Sequence, residues 1–123
     1  MAGLKALFDT NILIDYLNGI EAAREEMGRH SRGAISIITW MEVMAGTRPE
    51  EESRVRAFLA GLLVVPLNSA VAERAVVRRR ERKLKLPDAI IFATADVEGR
   101  LLVTRNIRDF SPDDPGVRVP YRV

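Results

Sequence analysis

Short apolar segments alternate with longer helical patterns along this chain, and this alternation restricts the fold more than any other feature. Strands of four or five residues that are apolar on both faces need cover on both sides, as in a parallel sheet. We therefore predict an α/β fold, a three-layer α/β/α sandwich with a central, mostly parallel sheet of about five short strands. The predicted strands are "LKALF", "GAISI", "LLVVP", "LLVT" and "VRVPYRV".

Helical patterns and terminal signals fill the intervals between these strands. Asn68 is a typical N-cap residue, and Pro87 and Gly99 bracket one helix in the usual way. The last strand contains Pro120, which cannot donate to a neighbouring strand, so we expect this strand at a sheet edge. The predicted helices are "TNILIDYL", "IEAAREEMGR", "ITWMEVMAG", "PEEESRVRAFLAGL", "SAVAERAVVRRRERK" and "PDAIIFATADVEG".

The composition excludes several kinds of site. We treat residues 1–123 as a single domain, long enough for a real hydrophobic core. The absence of cysteine excludes disulfides, thiolate nucleophiles and cysteine-bound zinc. The single histidine, His30, lies in the polar stretch "GRHSRG", which we expect to be a solvated loop. We find neither a membrane-spanning segment nor a signal-peptide pattern, so we expect a cytoplasmic protein.

Basic residues are concentrated in one segment. All but three of the 19 basic residues are arginine, and residues 78–85, "RRRERKLK", carry six positive charges against one negative. One interpretation is the solvated face of a helix, which is the usual explanation for a run of charges. The other is a patch that binds phosphate groups, which suit the planar guanidinium. Composition alone favours the solvated helix face.

Four acidic residues follow strands or lie in apolar helices. Asp9 ends the first predicted strand, and open parallel sheets bind ligands at this end of their strands. Glu42 lies in an almost wholly apolar helix, so we expect it to be desolvated. Asp88 lies in the first turn of another apolar helix, and Asp109 lies five residues beyond the fourth strand. These are the candidate site residues.

Three of the acids also have purely structural explanations. Asp9 can cap the following helix, Asp88 can complement a helix dipole, and Asp109 can stabilise a turn. If the acids converge instead, a divalent cation would remove their mutual repulsion. Oxygen ligands without Cys or a nearby His favour hard cations such as Mg²⁺ or Mn²⁺. Such sites are the usual equipment for phosphodiester hydrolysis.

Four motifs, in order, resemble those of the PIN-domain ribonucleases, and within them the VapC-type toxins of prokaryotic toxin–antitoxin pairs. The terminal "VRVPY" resembles the last edge strand of that family, so the resemblance covers essentially the whole chain. Asn106 departs from the pattern, because family members often carry an acid there. The motifs are "FDTNILIDYL" with Asp9, "AISIITWMEVMAGT" with Glu42, "KLPDAIIFATA" with Asp88 and "LLVTRNIRDF" with Asp109.

The resemblance implies a PIN-like fold and an endoribonuclease that depends on Mg²⁺ or Mn²⁺. It also implies a homodimer that is inhibited by a cognate antitoxin protein. The catalytic and metal-binding residues that it implies are Asp9, Glu42, Asp88 and Asp109, with Thr10, Thr104 and Asn106 as secondary polar residues.

The resemblance also favours RNA binding by basic residues that precede the third motif or flank the fourth. Asp15 and Asp96 have helical positions that need no special explanation, and we expect both at the surface. The predicted RNA-binding residues are Arg78, Arg79, Arg82, Lys85, Arg105 and Arg108.

Two alternative functions were weighed against this one. Haloacid-dehalogenase-type phosphatases need a second Asp two residues after the first, where this chain has Asn11, and the phosphate-binding patterns "GxxxxGK[ST]" and "GxGxxG" do not occur. A non-catalytic PIN-like scaffold that binds RNA or a protein would have a degraded acid set. The acids at positions 9, 42 and 88 argue against a scaffold, whereas Asn106 leaves that alternative open.

Overall fold

Five strands and six helices make up residues 5–122, the part of the chain that the computed structural model describes. The strands are β1 (Ala6–Phe8), β2 (Ala34–Ser36), β3 (Leu63–Val65), β4 (Leu101–Val103) and β5 (Val117–Arg118). The helices are α1 (Thr10–Leu17), α2 (Glu21–Gly28), α3 (Ile37–Ala45), α4 (Glu52–Ala60), α5 (Ser69–Arg82) and α6 (Leu86–Glu98), and a 3₁₀ turn at Pro49–Glu51 precedes α4. Every predicted element is present in the predicted order, although the strands are shorter than predicted.

The strands form one parallel sheet in the order β3-β2-β1-β4-β5. The central strand β1 is aligned with β4 over its whole length, with Ala6 opposite Leu101 and Phe8 opposite Val103. β5 lies at an edge as predicted, and Pro120 falls beyond the end of the strand. The predicted fold class is therefore confirmed, and all four strand pairs are parallel.

Side chains of the sheet alternate between two apolar layers. On one face, Leu7 and Leu102 belong to a buried cluster with Phe92 of α6. On the other face, Phe8 belongs to a second cluster with Ile12 of α1 and with residues of α3 and α4. Because neighbours along a strand point to opposite faces, a sheet covered on both sides needs apolar residues at successive positions. This requirement explains the uninterrupted apolar strands.

Helix ends follow the predicted signals. Asn68 accepts a hydrogen bond of 2.9 Å from the backbone N–H of Val71 and caps α5. Gly99 ends α6 with a φ of +63°, in the left-handed region that glycine adopts without strain. The helices within residues 5–122 are too short or too polar to cross a membrane.

A buried carboxylate ties α2 to the edge strand β5. Glu26 is 3% exposed and accepts hydrogen bonds of 2.6 and 2.9 Å from Arg118, and Nε2 of His30 lies 2.8 Å from its Oε2. The Arg118 hydrogen bonds, opposed by burial and helped by His30, lower the pKa of Glu26 to about 2. The prediction that His30 lies in a solvated loop is wrong, because its ring pairs with Glu26 and packs edge-on against Phe8.

We expect Glu26→Gln to lower the free energy of unfolding by about 2 kcal/mol at neutral pH, because Arg118 loses its buried partner. The pKa of Glu26 is depressed, so the pair contributes stability above pH 4.5 that is lost as the pH falls towards 2. The variant should therefore lose less stability than the wild type between about pH 5 and pH 3. Urea unfolding at a series of pH values in EDTA measures the difference, and equal pH dependences would contradict it.

Candidate functional site

The four candidate acids come from different elements near one edge of the sheet. Asp9 follows β1 and is the N-cap of α1, and Glu42 lies in α3, which begins directly after β2. Asp88 lies in the first turn of α6, and Asp109 lies in the irregular segment that follows β4. In a parallel sheet the carboxyl ends of the strands share one edge, which is where such folds bind ligands. The topology thus gathers acids that are far apart in sequence.

Asp9 is the most enclosed of these acids, at 5% exposed. Its Oδ1 accepts a hydrogen bond of 2.7 Å from the backbone N–H of Thr10. Its Oδ2 accepts from the hydroxyl of Thr104 at 2.7 Å and from the amide of Asn11 at 3.2 Å. The hydroxyl of Thr104 in turn accepts from the backbone N–H of Asn106. Sequence reasoning missed Asn11, although its place two residues after Asp9 in a helix N-terminus is a local signal.

Glu42 is more exposed to solvent than the sequence predicts. Its Oε1 accepts a hydrogen bond of 2.7 Å from the hydroxyl of Thr10, which connects α3 to the start of α1. The prediction that Glu42 is desolvated is wrong, because its side chain is exposed, as is that of Met41 at 53%. The buried face of α3 is formed by Thr39 and Val43. An apolar composition therefore did not make this helix buried all round.

The acids influence one another electrostatically. Burial raises the pKa of Asp9 to about 6, and the negative charges of Asp88 and Glu42 add to the shift against the opposing hydrogen bonds. Burial also raises the pKa of Asp88, and the negative charges of Asp109 and Glu42 raise it further. The positive charge of Lys85 partly opposes this rise. Within residues 5–122, no basic side chain forms an ion pair with any of these four acids. Lys85 therefore offsets part of the repulsion at Asp88, and none of the four acids is neutralised by an ion pair within residues 5–122.

Asp109 is held by the side chain of Asn106. The Asn106 amide donates a hydrogen bond of 2.9 Å to Asp109 Oδ2. The carbonyl oxygen of the same side chain accepts from the backbone N–H groups of Arg108 and Asp109, at 3.2 and 3.3 Å. Asn106 therefore stabilises the turn that carries Asp109, and its role as a further oxygen ligand remains a prediction.

The donor set is suited to a hard divalent cation. In the described part of the chain, no three Asp, Glu or His side chains are close enough to form a ready-made metal site. The groups that do converge are nevertheless oxygen donors only, and Asp9 is a buried carboxylate whose charge lacks a cationic partner. Carboxylate and hydroxyl oxygens are the ligands that Mg²⁺ and Mn²⁺ prefer. The chemistry of the residues therefore fits a metal ion that draws the acids together.

Of the four predicted RNA-binding residues on or next to α5, two form ion pairs within the protein. Arg78 donates to Asp96 at 2.7 and 2.8 Å, and its guanidinium lies 3.7 Å from the centroid of the Phe92 ring. Arg82 donates to Asp114 at 3.1 Å. The expectation that Asp96 is a surface residue without a special role is therefore wrong, since it fixes α5 to α6. Neighbouring residues on a helix point in different directions, so only part of a charge run can face one ligand.

The other basic residues on this side differ in their contacts. Arg79 donates to the backbone carbonyl of Leu84, at the turn that ends α5. Lys85 and Arg108 are exposed and form no ion pair within the described residues. An open depression lined by Asn11 and by residues 105–108 lies beside the acids. Of the predicted RNA-binding residues, Lys85 and Arg108 are therefore the ones that are exposed and whose charged groups, within the described residues, are neither paired with a carboxylate nor bound to a backbone carbonyl.

Asp15 was predicted to be a surface residue, and this prediction is wrong. It is 5% exposed and accepts hydrogen bonds from Arg105, at 2.6 and 3.0 Å, and from the Tyr121 hydroxyl, at 2.8 Å. Burial raises the pKa of Asp15, but the hydrogen bonds from Arg105 and Tyr121 outweigh it and lower the pKa below its ordinary value. The sequence gives no local sign of this burial, because the partner Arg105 lies ninety positions away in the chain.

Comparison with known proteins supports the motif analysis. The family model described as "PIN domain" matches residues 6–111. Ribonuclease VapC10 of Mycobacterium tuberculosis is 34% identical over 125 residues, which cover 95% of this chain and 93% of that protein.

Solved structures agree with this result. A toxin–antitoxin complex from Klebsiella pneumoniae contains a chain that is 46% identical, with a TM-score of 0.92 over 97% of this chain and 100% of the other. A DNA-bound VapBC complex from Salmonella typhimurium contains a chain that is 30% identical, with a TM-score of 0.78 over 94% of this chain and 96% of the other. Since the family model spans most of the sequence and a VapC ribonuclease is similar over nearly its full length, the chain belongs to the PIN-domain family.

Proposed function

We propose that this protein is a metal-dependent endoribonuclease of the VapC type that hydrolyses RNA phosphodiester bonds. The observation that carries the proposal is the mutual repulsion of Asp9, Glu42 and Asp88 at one sheet edge, where none of the three forms an ion pair within residues 5–122. Groups that repel one another in this way are a cost to the fold, and they are typical of functional sites. The similarity to Ribonuclease VapC10 supports the same reaction.

In this proposal the four acids Asp9, Glu42, Asp88 and Asp109 hold Mg²⁺ or Mn²⁺. When bound, such an ion would supply the chemistry of phosphodiester hydrolysis, by stabilising charge on the scissile phosphate and making water more acidic. The protein's own contribution is orientation. The hydroxyl of Thr104 fixes one oxygen of Asp9, and the hydroxyl of Thr10 fixes one oxygen of Glu42. Hydrogen bonds of this kind hold carboxylates in a defined geometry before a ligand arrives.

RNA would approach through the depression beside the acids. Lys85 precedes α6, which carries Asp88, and Arg108 precedes Asp109, so both exposed charges stand close in sequence to a candidate acid. Phosphate groups of single-stranded RNA are bound in this way by exposed cations. Arg79 is the further candidate, whereas Arg78 and Arg82 would first have to leave Asp96 and Asp114.

We propose a cognate antitoxin and a second copy of the chain as protein partners. The related chains from Klebsiella pneumoniae and Salmonella typhimurium were solved as a toxin–antitoxin complex and as a VapBC complex on DNA, respectively. This similarity supports a role as the toxin of a type II toxin–antitoxin pair. We propose the cytoplasm as its compartment. The alternative of a non-catalytic scaffold loses support because none of the four acids is committed to an ion pair within residues 5–122.

Cleavage of a total-RNA pool tests the proposal directly. Purified protein freed of antitoxin should produce discrete fragments with Mg²⁺ or Mn²⁺ and none with EDTA. Asp9→Asn should reduce the rate by at least about 100-fold, because it removes the charge of the central metal ligand. The matched control is Asp113→Asn, which changes an exposed aspartate outside the site. Equal cleavage by wild type and Asp9→Asn, or cleavage in EDTA, would refute the assignment.

The same substitution should stabilise the metal-free protein. The pKa of Asp9 is raised to about 6, so the wild type loses stability as the pH rises from 3.8 through 6. Asp9→Asn lacks this loss, and we expect it to be more stable by about 1–2 kcal/mol at pH 7.5 in EDTA. Thermal or urea unfolding measures the change, and added Mg²⁺ should stabilise the wild type only. A less stable variant in EDTA would count against a crowded acid site.

Substitution of an exposed cation tests the RNA path. Arg108→Gln should raise KM with little change in kcat, because a phosphate contact far from the reacting bond contributes uniform binding. It should also reduce the slope of log affinity against log salt by about 1. Arg24→Gln, at an exposed arginine of α2 that forms no ion pair within residues 5–122, is the matched control. Equal effects of both substitutions would mean that Arg108 acts only through net charge.

A further inference from the structure

The segment that carries Asp109, one of the four candidate acids, has no regular secondary structure. Residues 104–109 follow β4 and include Thr104, Asn106 and Asp109, but they form neither helix nor strand. The backbone N–H of Thr104 donates to the Arg118 carbonyl at 3.0 Å, and the Asn106 carbonyl accepts from the N–H of Phe110 at 3.2 Å. The remaining backbone groups of residues 105–109 depend on side-chain contacts for their position. The contacts that fix it to the rest of the fold therefore decide where these three side chains lie.

Two residues of α1, four positions apart and hence on one face of the helix, hold this segment. Asn11 Oδ1 accepts from the backbone N–H of Arg105 at 3.2 Å. One turn further, Asp15 accepts from the guanidinium of Arg105 at 2.6 and 3.0 Å. The Tyr121 hydroxyl donates to the same Asp15 carboxylate at 2.8 Å, so the chain beyond β5 joins the contact. Arg105 is thus held through both its backbone and its side chain.

We propose that Asp15, Arg105 and Tyr121, the Asp15 cluster, are positioning residues that hold residues 104–109 in the geometry required for metal binding. The inference rests on the proposed function, since it assigns a role within the same site. It also revises the expectation that Arg105 binds RNA, because Nε and Nη2 of its guanidinium already donate hydrogen bonds to Asp15. Arg105 lines the depression, but its charge is paired with that of Asp15.

The path from the cluster to the acids is short and continuous. Arg105 directly follows Thr104, whose hydroxyl donates to Asp9 at 2.7 Å, and directly precedes Asn106, which donates to Asp109 at 2.9 Å. A two-point contact between a planar guanidinium and a carboxylate restricts rotation as well as distance. Displacement of Arg105 would therefore move Thr104, which donates a hydrogen bond to Asp9. It would also move Asn106, which holds Asp109.

The fold contains a matched control for this cluster. Glu26 is also buried, and it accepts two hydrogen bonds from an arginine, Arg118, at 2.6 and 2.9 Å. A third contact, from His30 at 2.8 Å, corresponds to that of Tyr121 with Asp15. The side chains of these residues form no hydrogen bond with residues 104–109, and the one direct link is the Arg118 backbone carbonyl, which accepts from the N–H of Thr104 at 3.0 Å. Glu26→Gln should therefore cost comparable stability without disturbing the acid site.

The test compares Asp15→Asn with Glu26→Gln in the metal-free, full-length chain. Hydrogen exchange of the backbone amides in residues 105–110 should accelerate in Asp15→Asn and stay unchanged in Glu26→Gln; the Thr104 amide is left out of the comparison, since it donates to Arg118. Mn²⁺ affinity, measured from the paramagnetic resonance signal of free Mn²⁺, should fall by about 10-fold or more in Asp15→Asn and by less than about twofold in Glu26→Gln. Equal changes in both variants, or none in either, would overturn the proposal.

A milder variant keeps the test decisive if Asp15→Asn does not fold. Tyr121→Phe removes one hydrogen bond and no charge, so it should fold and show the same two changes to a smaller extent. Unchanged exchange and unchanged Mn²⁺ affinity in Tyr121→Phe would then overturn the proposal. Because neither readout involves RNA, a wild type that binds Mn²⁺ but cleaves no RNA contradicts the proposed function and not this inference.

Discussion

A carboxylate at the enclosed end of the central strand is the constraint on which the candidate site depends. Asp9 follows β1 directly and caps α1, so the backbone geometry of both elements fixes its position. Hydrogen bonds from Thr10 and Thr104 orient its two oxygens, yet no cation of the described chain neutralises it. The acids of α3 and α6 add further negative charge, which raises the pKa of Asp9 beyond the effect of burial.

Buried carboxylates in this protein fall into two electrostatic classes. Asp15 and Glu26 are each paired with an arginine, and hydrogen bonding lowers their pKa values despite burial. Asp9 is equally enclosed but has hydroxyl and amide donors instead of an arginine, and burial raises its pKa. A paired carboxylate repays its desolvation within the fold, whereas an unpaired one leaves a cost that a ligand can remove. The contrast separates supporting acids from the candidate ligands.

The same contrast marks the limits of sequence reasoning. The motifs identified all four candidate acids, and the strand and helix patterns placed them at one sheet edge. The exposure of Glu42 was predicted wrongly, because a helix of nine residues buries only the face that its neighbours cover. The burial of Asp15 was missed because its partner, Arg105, lies ninety positions away in the chain. The sequence suggested that Arg78 is available for RNA, because its ion-pair partner, Asp96, is also distant in the chain.

By itself the sequence determined the order and type of the elements, the helix caps and the presence of an all-oxygen acid set. These features depend on local periodicity and on residues within one turn of each other, so they can be read without knowing the fold. Only the tertiary structure decided which arginine pairs with which carboxylate, and hence which charges remain free for a ligand. An ion pair such as Arg105–Asp15 or Arg118–Glu26 joins residues whose distance in space is set by the sheet and not by their separation in the chain.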